Sequence, residues 1–419
     1  MGNIRKFSSV ADFENYRATD GWAYPAVNFV ECAEENQLYY NNEFIMRWND
    51  GDTNKTPTFL GDVSQSEFMA WVDQASLPFE MKKDGTDYGY LSPTNYALRS
   101  DNTTSSHISG DDKTNYFQFA EIQNINVGLF QNSKAGTKEV RFNFDQGCPE
   151  GFHKWFSHPY WNSSRKCYTK LIGRYNLQHN ADGSTVDTCS GVAQSSTANG
   201  ANWSANLMFT KIKATATATK QTLQEWTYWE NLVMSYIFTA YYKTFNHQSI
   251  FGGLQSGGSA NGDQWVSGQT DGVSGHAGSI SSGAYRFMFV ENATYGQQWI
   301  WGAGWRGENG KSYMTYDDIT ANKAATMSLT DADVTGTYPT NMNASYITKM
   351  DLWGVPTAIN GSSSTGLYDG GWSNTGTSRV AYLGGNSGIG AVDGSWARGF
   401  DIDAGGSGWD RRGRLTLVR

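Results

Sequence analysis

The sequence predicts an α+β protein that is mostly strand and loop, with one long helix and a small β-rich region at its start. Three observations predict it. Charged residues make up only 17% of the 419 positions, while aromatic residues reach 14% and glycines number 47; an average soluble domain carries roughly 25% charged residues. Many rings and glycines with few charges suit short strands joined by long ordered loops. Two segments, NYFQFAEIQNINVGLF at 115–130 and KEVRFNFD at 138–145, alternate by two as half-buried strands do. One segment alone, beginning near residue 222, repeats its apolar residues at a helical period.

Taken in order, residues 1–60 open with an amphipathic stretch and continue as VNFVECAEENQLYYNNEFIMRW, where apolar runs flank the polar turn Glu34-Glu35-Asn36 and predict a two-stranded hairpin. Residues 61–110 are polar and rich in Gly, Asp and Ser, with a short helix expected at SQSEFMAWVDQA, and read as a connecting region. The remainder, 111–419, begins with the two alternating segments and a further strand in KCYTKLIGRYNLQ. The Ser/Thr/Gly/Ala stretch at 181–220 contains Trp203, Leu207 and Phe209, which argues for an ordered loop rather than a linker. Thr222-Leu223-Gln224-Glu225 reads as a capping box. Behind it Trp226, Trp229, Val233, Tyr236, Ile237 and Ala240 form one apolar face, giving a helix of about five turns. Beyond 245 the chain turns to glycine-punctuated aromatic segments, in which Trp299 and Trp301 are expected in the core and Gly384, Gly385 and Gly413 at turns with positive φ.

Composition also excludes functions. A net charge of −8 with no run of Lys or Arg argues against a nucleic-acid partner. The longest apolar stretch, at 232–242, is too short for the ~20 residues that span a bilayer. The first 17 residues lack the apolar segment of a secretory signal, so the chain reads as made in a cytoplasm. Four cysteines, Cys32, Cys148, Cys167 and Cys189, form no CxxC pair. Cys148, His153, His158 and Cys167 are the ligand types of a zinc site, but their spacing fits no finger, and free thiols with surface imidazoles are the expectation. No cofactor or metal is expected.

From about 110 to the end, four landmarks resemble the C-type-lectin-like fold of the formylglycine-generating-enzyme type, as found in phage tail and virion fibre proteins. They are FSHPYW followed by CYTKLIGRYN, the long helix ending in FNHQSIFGG, VENATYGQQWIWGAG, and the terminal RVAYLGGNSGIGAVDGSWARGFDIDAGGSGWDRRGRLTLVR. The third departs from the family at Gln297 and Gln298, and residues 190–419 contain no cysteine, which removes the reactive pair of the true enzymes. The first 60 residues resemble N-terminal segments of virion proteins from Bacteroides-infecting (crAss-like) phages, through Pro25-Ala26-Val27 and Tyr39-Tyr40-Asn41.

The resemblance implies a non-enzymatic virion surface fibre or adhesin, on tail or head. Its N-terminal segment would dock onto other virion proteins, and its lectin-like domain would bind a host-surface glycan or protein. A homotrimer is expected, because several weak sites presented together gain avidity. Asn386, Trp396, Arg398, Phe400, Asp401, Asp403, Trp409 and Arg411 form the expected ligand face, on the reading that rigid rings interleaved with Arg, Asp and Asn lie in glycine-rich loops. Asp401 and Asp403 are too few to hold Ca²⁺. The alternatives are a purely structural virion component and, from paired carboxylates such as Asp331/Asp333, a glycan-degrading enzyme.

Overall fold

A computed structural model describes residues 3–7, 27–32, 37–52, 55–132, 136–179, 184–190, 204–251, 267–281, 283–295, 299–316, 329–362, 365–385, 392, 394–408 and 410–419. Strands account for 40% and helices for 16%. The N-terminal strands Val27–Cys32 and Gln37–Tyr40 pair antiparallel, as the hairpin pattern predicts; their turn lies outside the described residues. Asn3–Phe7 pairs with Val27–Cys32 in parallel.

Three larger sheets build the core. In the first, five antiparallel strands follow the order Phe152–Lys154, Asn126–Asn132, Thr137–Asn143, Glu43–Asn49 and Thr58–Gly61. Register sets Phe142 between Phe44 and Val127, and Val140 between Met46 and Leu129. One face thus gathers apolar side chains from three strands, and helix α1, Gln65–Ala75, buries Phe68 and Val72 against it. Helix α1 starts where the sequence places it, at a Ser64/Glu67 capping box.

The second sheet runs Thr222–Glu225, Leu415–Val418, Cys167–Gly173, Tyr116–Gln123, Ser76–Lys82 and Tyr88–Tyr90, with Tyr160–Asn162 as a flap on Cys167–Gly173. It is buried on both faces. Ala120, Ile122 and Ile172 join the larger core, while Phe117, Phe119, Leu171 and Leu417 join a second cluster with Trp299, Trp301 and Tyr382. The third sheet is mixed and contains Val334–Thr337, Lys311–Met314, Trp299–Glu308, Arg379–Leu383, Arg398–Asp403, Gly370–Ser373, Asn343–Met350 and Pro356–Ile359, with Arg411–Arg412 on its side. Trp299 and Trp301 are buried as expected, and Gly384 and Gly385 have φ of 86° and 73°. Gly413 is needed for another reason: a Cβ there would come 2.0 Å from the Met208 sulfur.

The α+β architecture with a single long helix is overturned. Among the described residues there are two helices of 15 residues, α2 at Ala205–Thr219 and α3 at Tyr228–Tyr242, set in a mostly β chain. Helix α2 falls in the stretch expected to be loop. Its run ATATAT has poor helix propensity because Thr is branched at Cβ. The hydroxyls of Thr210, Thr215, Thr217 and Thr219 donate to carbonyls four residues back at 2.8–3.0 Å, Ser204 caps the first turn, and Ala205, Met208, Ile212 and Thr215 bury one face. Tertiary burial overrides propensity here.

Helix α3 also starts later than expected. Thr222–Glu225 is a strand paired with Leu415–Val418. The capping box is Thr227/Glu230: Glu230 N donates to Thr227 Oγ1 at 3.0 Å, and Thr227 N donates to Glu230 Oε2 at 3.1 Å. Helix α3 is buried all round from Tyr228 to Ala240, rather than on one face, as fits a helix enclosed by sheets. Its one carboxylate, Glu230, is matched by Lys170 Nζ at 2.7 Å. A third helix, α4, spans Gln248–Phe251.

Breaks in hydrogen bonding do not coincide with residues 60 and 110. Glu43–Asn49 pairs over seven residues with Thr137–Asn143, and Ser76–Lys82 pairs over seven with Tyr116–Gln123. The first 110 residues therefore supply interior strands to the sheets of the rest. No described helix is long and apolar enough to cross a membrane.

Candidate ligand-binding site

The C-terminal face read from the sequence does not form one surface. Trp396, Arg398 and Phe400 are each 0% exposed. The Trp396 ring lies 5.1 Å from Tyr236 and 5.6 Å from Phe245. Phe400 stacks on Trp305 at 4.3 Å. Arg398 donates from Nη1 to the carbonyls of Ser395 and Ala397 at 2.7 and 2.9 Å. The reason is that RGFDID is a strand, Arg398–Asp403, whose alternation sends Arg398 and Phe400 inward. Asp401 accepts from the Tyr382 hydroxyl, and Asp403 Oδ1 accepts the amides of Gly405 and Gly406 at 2.9 Å, a turn role. Arg411 is half-buried, its guanidinium 5.3 Å from the Tyr382 ring. Asn386 and Trp409 lie outside the described residues. No group of three metal-binding side chains occurs among the described residues; His153 instead stacks on Tyr316 at 3.5 Å.

A different site emerges at the edge of the second sheet. The two large hydrophobic side chains that stand exposed among the described residues are Tyr88, 56% exposed, and Trp161, 45% exposed. Both line an open cleft of about 830 Å³, with Tyr90, Glu121, Tyr160, Asn162, Ser163, Ser164 and Arg419 around it.

Local sequence explains each wall. Ser76–Lys82 and Tyr88–Tyr90 form a hairpin whose register sets Phe79 opposite Tyr90 and Met81 opposite Tyr88. The connecting turn is held by Asp84, whose Oδ1 accepts from Thr86 N at 2.9 Å, and by Gly85 at φ 75°. Phe79 packs edge-on to Tyr90 at 5.4 Å and lies 6.1 Å from Tyr88. The opposite wall is the Tyr160–Asn162 flap. Asn162 Oδ1 accepts the amides of Ser164 and Arg165 at 3.0 Å, which closes the turn back into Cys167–Gly173. Trp161 sits opposite Tyr168 and meets its ring at 5.2 Å, nearly perpendicular.

Glu121 joins the walls. It continues the inward face of Phe117 and Phe119 on Tyr116–Gln123, so it is buried (1% exposed) and must be satisfied within the fold. Tyr90 donates its hydroxyl to Oε2 at 2.5 Å, Asn162 Nδ2 donates to Oε1 at 2.9 Å, and Thr169 Oγ1 donates to Oε1 at 3.1 Å. The Tyr160 hydroxyl donates as well, and Arg165 Nη1 stands 3.4 Å from Oε2. Burial pushes the Glu121 pKa up, but the hydrogen bonds from Tyr160, Tyr90 and Asn162 and the Arg165 charge outweigh it, leaving the pKa below the usual value. Burial and the ionised carboxylate together raise the pKa of Tyr90 and Tyr160, so both stay neutral donors.

Chemically, the cleft offers two exposed ring faces, the exposed hydroxyls of Ser163 and Ser164, and a guanidinium, on a base held rigid by one carboxylate. Ring faces carry negative quadrupole density and attract the slightly positive C–H faces of sugars, while the rim can bond sugar hydroxyls. Sequence reasoning missed this site. Two signals were present: a Glu inside an apolar strand pattern, and the rings of DYGYL and PYWNSS beside turn residues. Compared with known proteins, the chain matches no family model and no curated sequence, so the chemistry of the cleft itself carries the functional reading.

Proposed function

We propose that the chain is a non-enzymatic saccharide-binding protein of a phage surface, and that it engages its ligand in the Tyr88–Trp161 cleft. The sequence resemblance to virion proteins supplies the setting. The observation that carries the binding reading is that Tyr88 and Trp161, the exposed large hydrophobic side chains among the described residues, flank one cleft. Exposed rings concentrated at one polar-rimmed cleft mark an interaction site more often than chance exposure does.

Hydrolysis is the rival chemistry. A glycosidase requires two carboxyl groups, one of them a protonated acid. The described lining has the single carboxylate Glu121, which is ionised and occupied by four donors and an arginine. That favours retention of a sugar over its cleavage. The test is binding of saccharides to immobilised protein and to its Trp161→Ala and Tyr88→Ala variants. Each variant is expected to lose tenfold or more in affinity while melting within about 0.5 kcal/mol of the wild type, as surface changes do. Undiminished binding by both variants would place the site elsewhere.

A further inference from the structure

The cleft also contains a charge that its own residues do not neutralise. The Arg419 guanidinium lies over three rings, 4.8 Å from Tyr88, 5.1 Å from Phe79 and 5.6 Å from Tyr160. It makes no ion pair within 4.0 Å among the described residues; its one hydrogen-bond contact is Nη2 to the Met81 sulfur at 3.8 Å. The other two charges in the cleft, Glu121 and Arg165, face each other, which leaves Arg419 as a net positive charge in a chain whose overall charge is −8.

From this geometry we infer that the cleft selects acidic saccharides, and that Arg419 pairs with the ligand's carboxylate. The inference rests on the saccharide-binding reading above and names its ligand class. The rings fix the plane of the guanidinium and take its π faces, while its N–H groups lie at its edge, the arrangement that presents a two-pronged donor to a carboxylate. A ring-flanked site lowers the local dielectric, which strengthens the pairing relative to open solvent. Tyr88 and Trp161 then stack on the sugar ring bearing the acid or on its neighbour. A sulfate ester presents the same charge in a tetrahedral shape, so the choice between the two acids is read in the experiment.

The full chain is to be titrated with sialyllactose against lactose, with oligogalacturonate against its full methyl ester, and with a sulfated galactan oligomer. The expected result is that at least one carboxylated member binds tenfold or more tighter than its neutral partner, with affinity falling as NaCl is raised from 0.05 to 0.5 M. Arg419→Ala should erase that preference and keep the weak neutral binding, and Arg419→Lys should restore part of it. Trp161→Ala should remove both. Equal binding of acid and neutral members, or an acid preference that survives Arg419→Ala, would overturn the inference and leave the cleft reading standing. A preference confined to the sulfated oligomer overturns the carboxylate assignment. Binding of every probe unchanged by Trp161→Ala, or binding of none, overturns the cleft reading and this inference with it.

Discussion

Replacing Trp396 with Ala tests whether the tail carries structure or recognition. The indole is 0% exposed and touches Tyr236, Phe245 and His247 at 5.1, 5.6 and 5.8 Å between ring centroids. A Trp side chain buries about 150–250 Å², and at about 25 cal/mol per Å² that is roughly 4–6 kcal/mol, of which Ala retains a part. The Arg398 guanidinium 5.5 Å from the ring loses its cation–π partner, worth about 1 kcal/mol or more when desolvated. No hydrogen bond is lost, because the indole Nε1 has no partner. The sum agrees with the 3–5 kcal/mol usual for Trp→Ala in a core, so about 4 kcal/mol is expected. Urea unfolding followed by far-UV circular dichroism measures it, with saccharide affinity per folded molecule measured in parallel. A stability loss under about 1 kcal/mol, accompanied by lost affinity, would refute this placement and restore the ring to a binding face.

Three other outcomes are expected. Glu121→Gln takes an acceptor from Tyr90, Tyr160, Asn162, Thr169 and Arg165 at once; it should cost about 3 kcal/mol of stability, in the range for removing one partner of a buried ion pair, and weaken saccharide binding, both read on the same preparation. A chain beginning at Asp112 lacks the strands Glu43–Asn49 and Ser76–Lys82 and so exposes their partners Thr137–Asn143 and Tyr116–Gln123; it should aggregate, and a soluble fragment with a cooperative melt would count against the sheet assignment. Burial raises the Asp369 carboxyl from 3.8 to about 7, against hydrogen bonds from Trp396 N and Gln248 that lower it. A raised folded pKa means that its stabilising proton is fully held below about pH 4 and lost as pH rises through 7; Asp369→Asn, which does not titrate, should therefore show its largest melting deficit near pH 5 and its smallest near pH 8.

How much of this was legible follows from what each element depends on. Helix α1 and the strands Tyr116–Gln123 and Thr137–Asn143 were readable because capping and period-two alternation are local. Helix α2 was not, because ATATAT reads as polar filler until Met208 and Ile212 are known to meet the second sheet. The misplaced capping box has the same cause. TLQE and TYWE share the Thr-x-x-Glu spacing, and Leu415–Val418, some 190 residues away, makes the first of them a strand. At the cleft, the donors that satisfy Glu121 come from Tyr90, Tyr160, Asn162 and Thr169, 31 to 48 residues off in either direction. A buried carboxylate could be suspected from sequence, but its partners could not be named.

The tail misled for a reason that bears on reading other aromatic, loop-rich chains. Arg beside Trp was taken as the mark of a recognition surface. Here the largest fully buried side chains include Arg141, Arg174, Arg286, Arg398, Arg412 and Arg414 alongside five tryptophans. Loops of this kind leave backbone carbonyls inside the fold, and each needs a donor. A guanidinium with five N–H groups serves several at once. Arg414 donates to Gly173 O at 2.9 Å, Glu291 O at 2.8 Å and Asn176 Oδ1 at 2.7 Å, and Arg286 donates to the carbonyls of Thr270, Val273 and Gly275. The same rings that fill the core also stack on these cations, as the Tyr96 ring does with Arg174 at 4.2 Å and Arg286 at 4.8 Å. In such a chain an Arg–Trp pairing is as much the signature of a loop-built interior as of a binding face. What separates the two is period: RGFDID alternates, and its Arg and Phe fall on the inward register, whereas Tyr88 and Trp161 lie next to turns on edge strands, where the alternate register faces water.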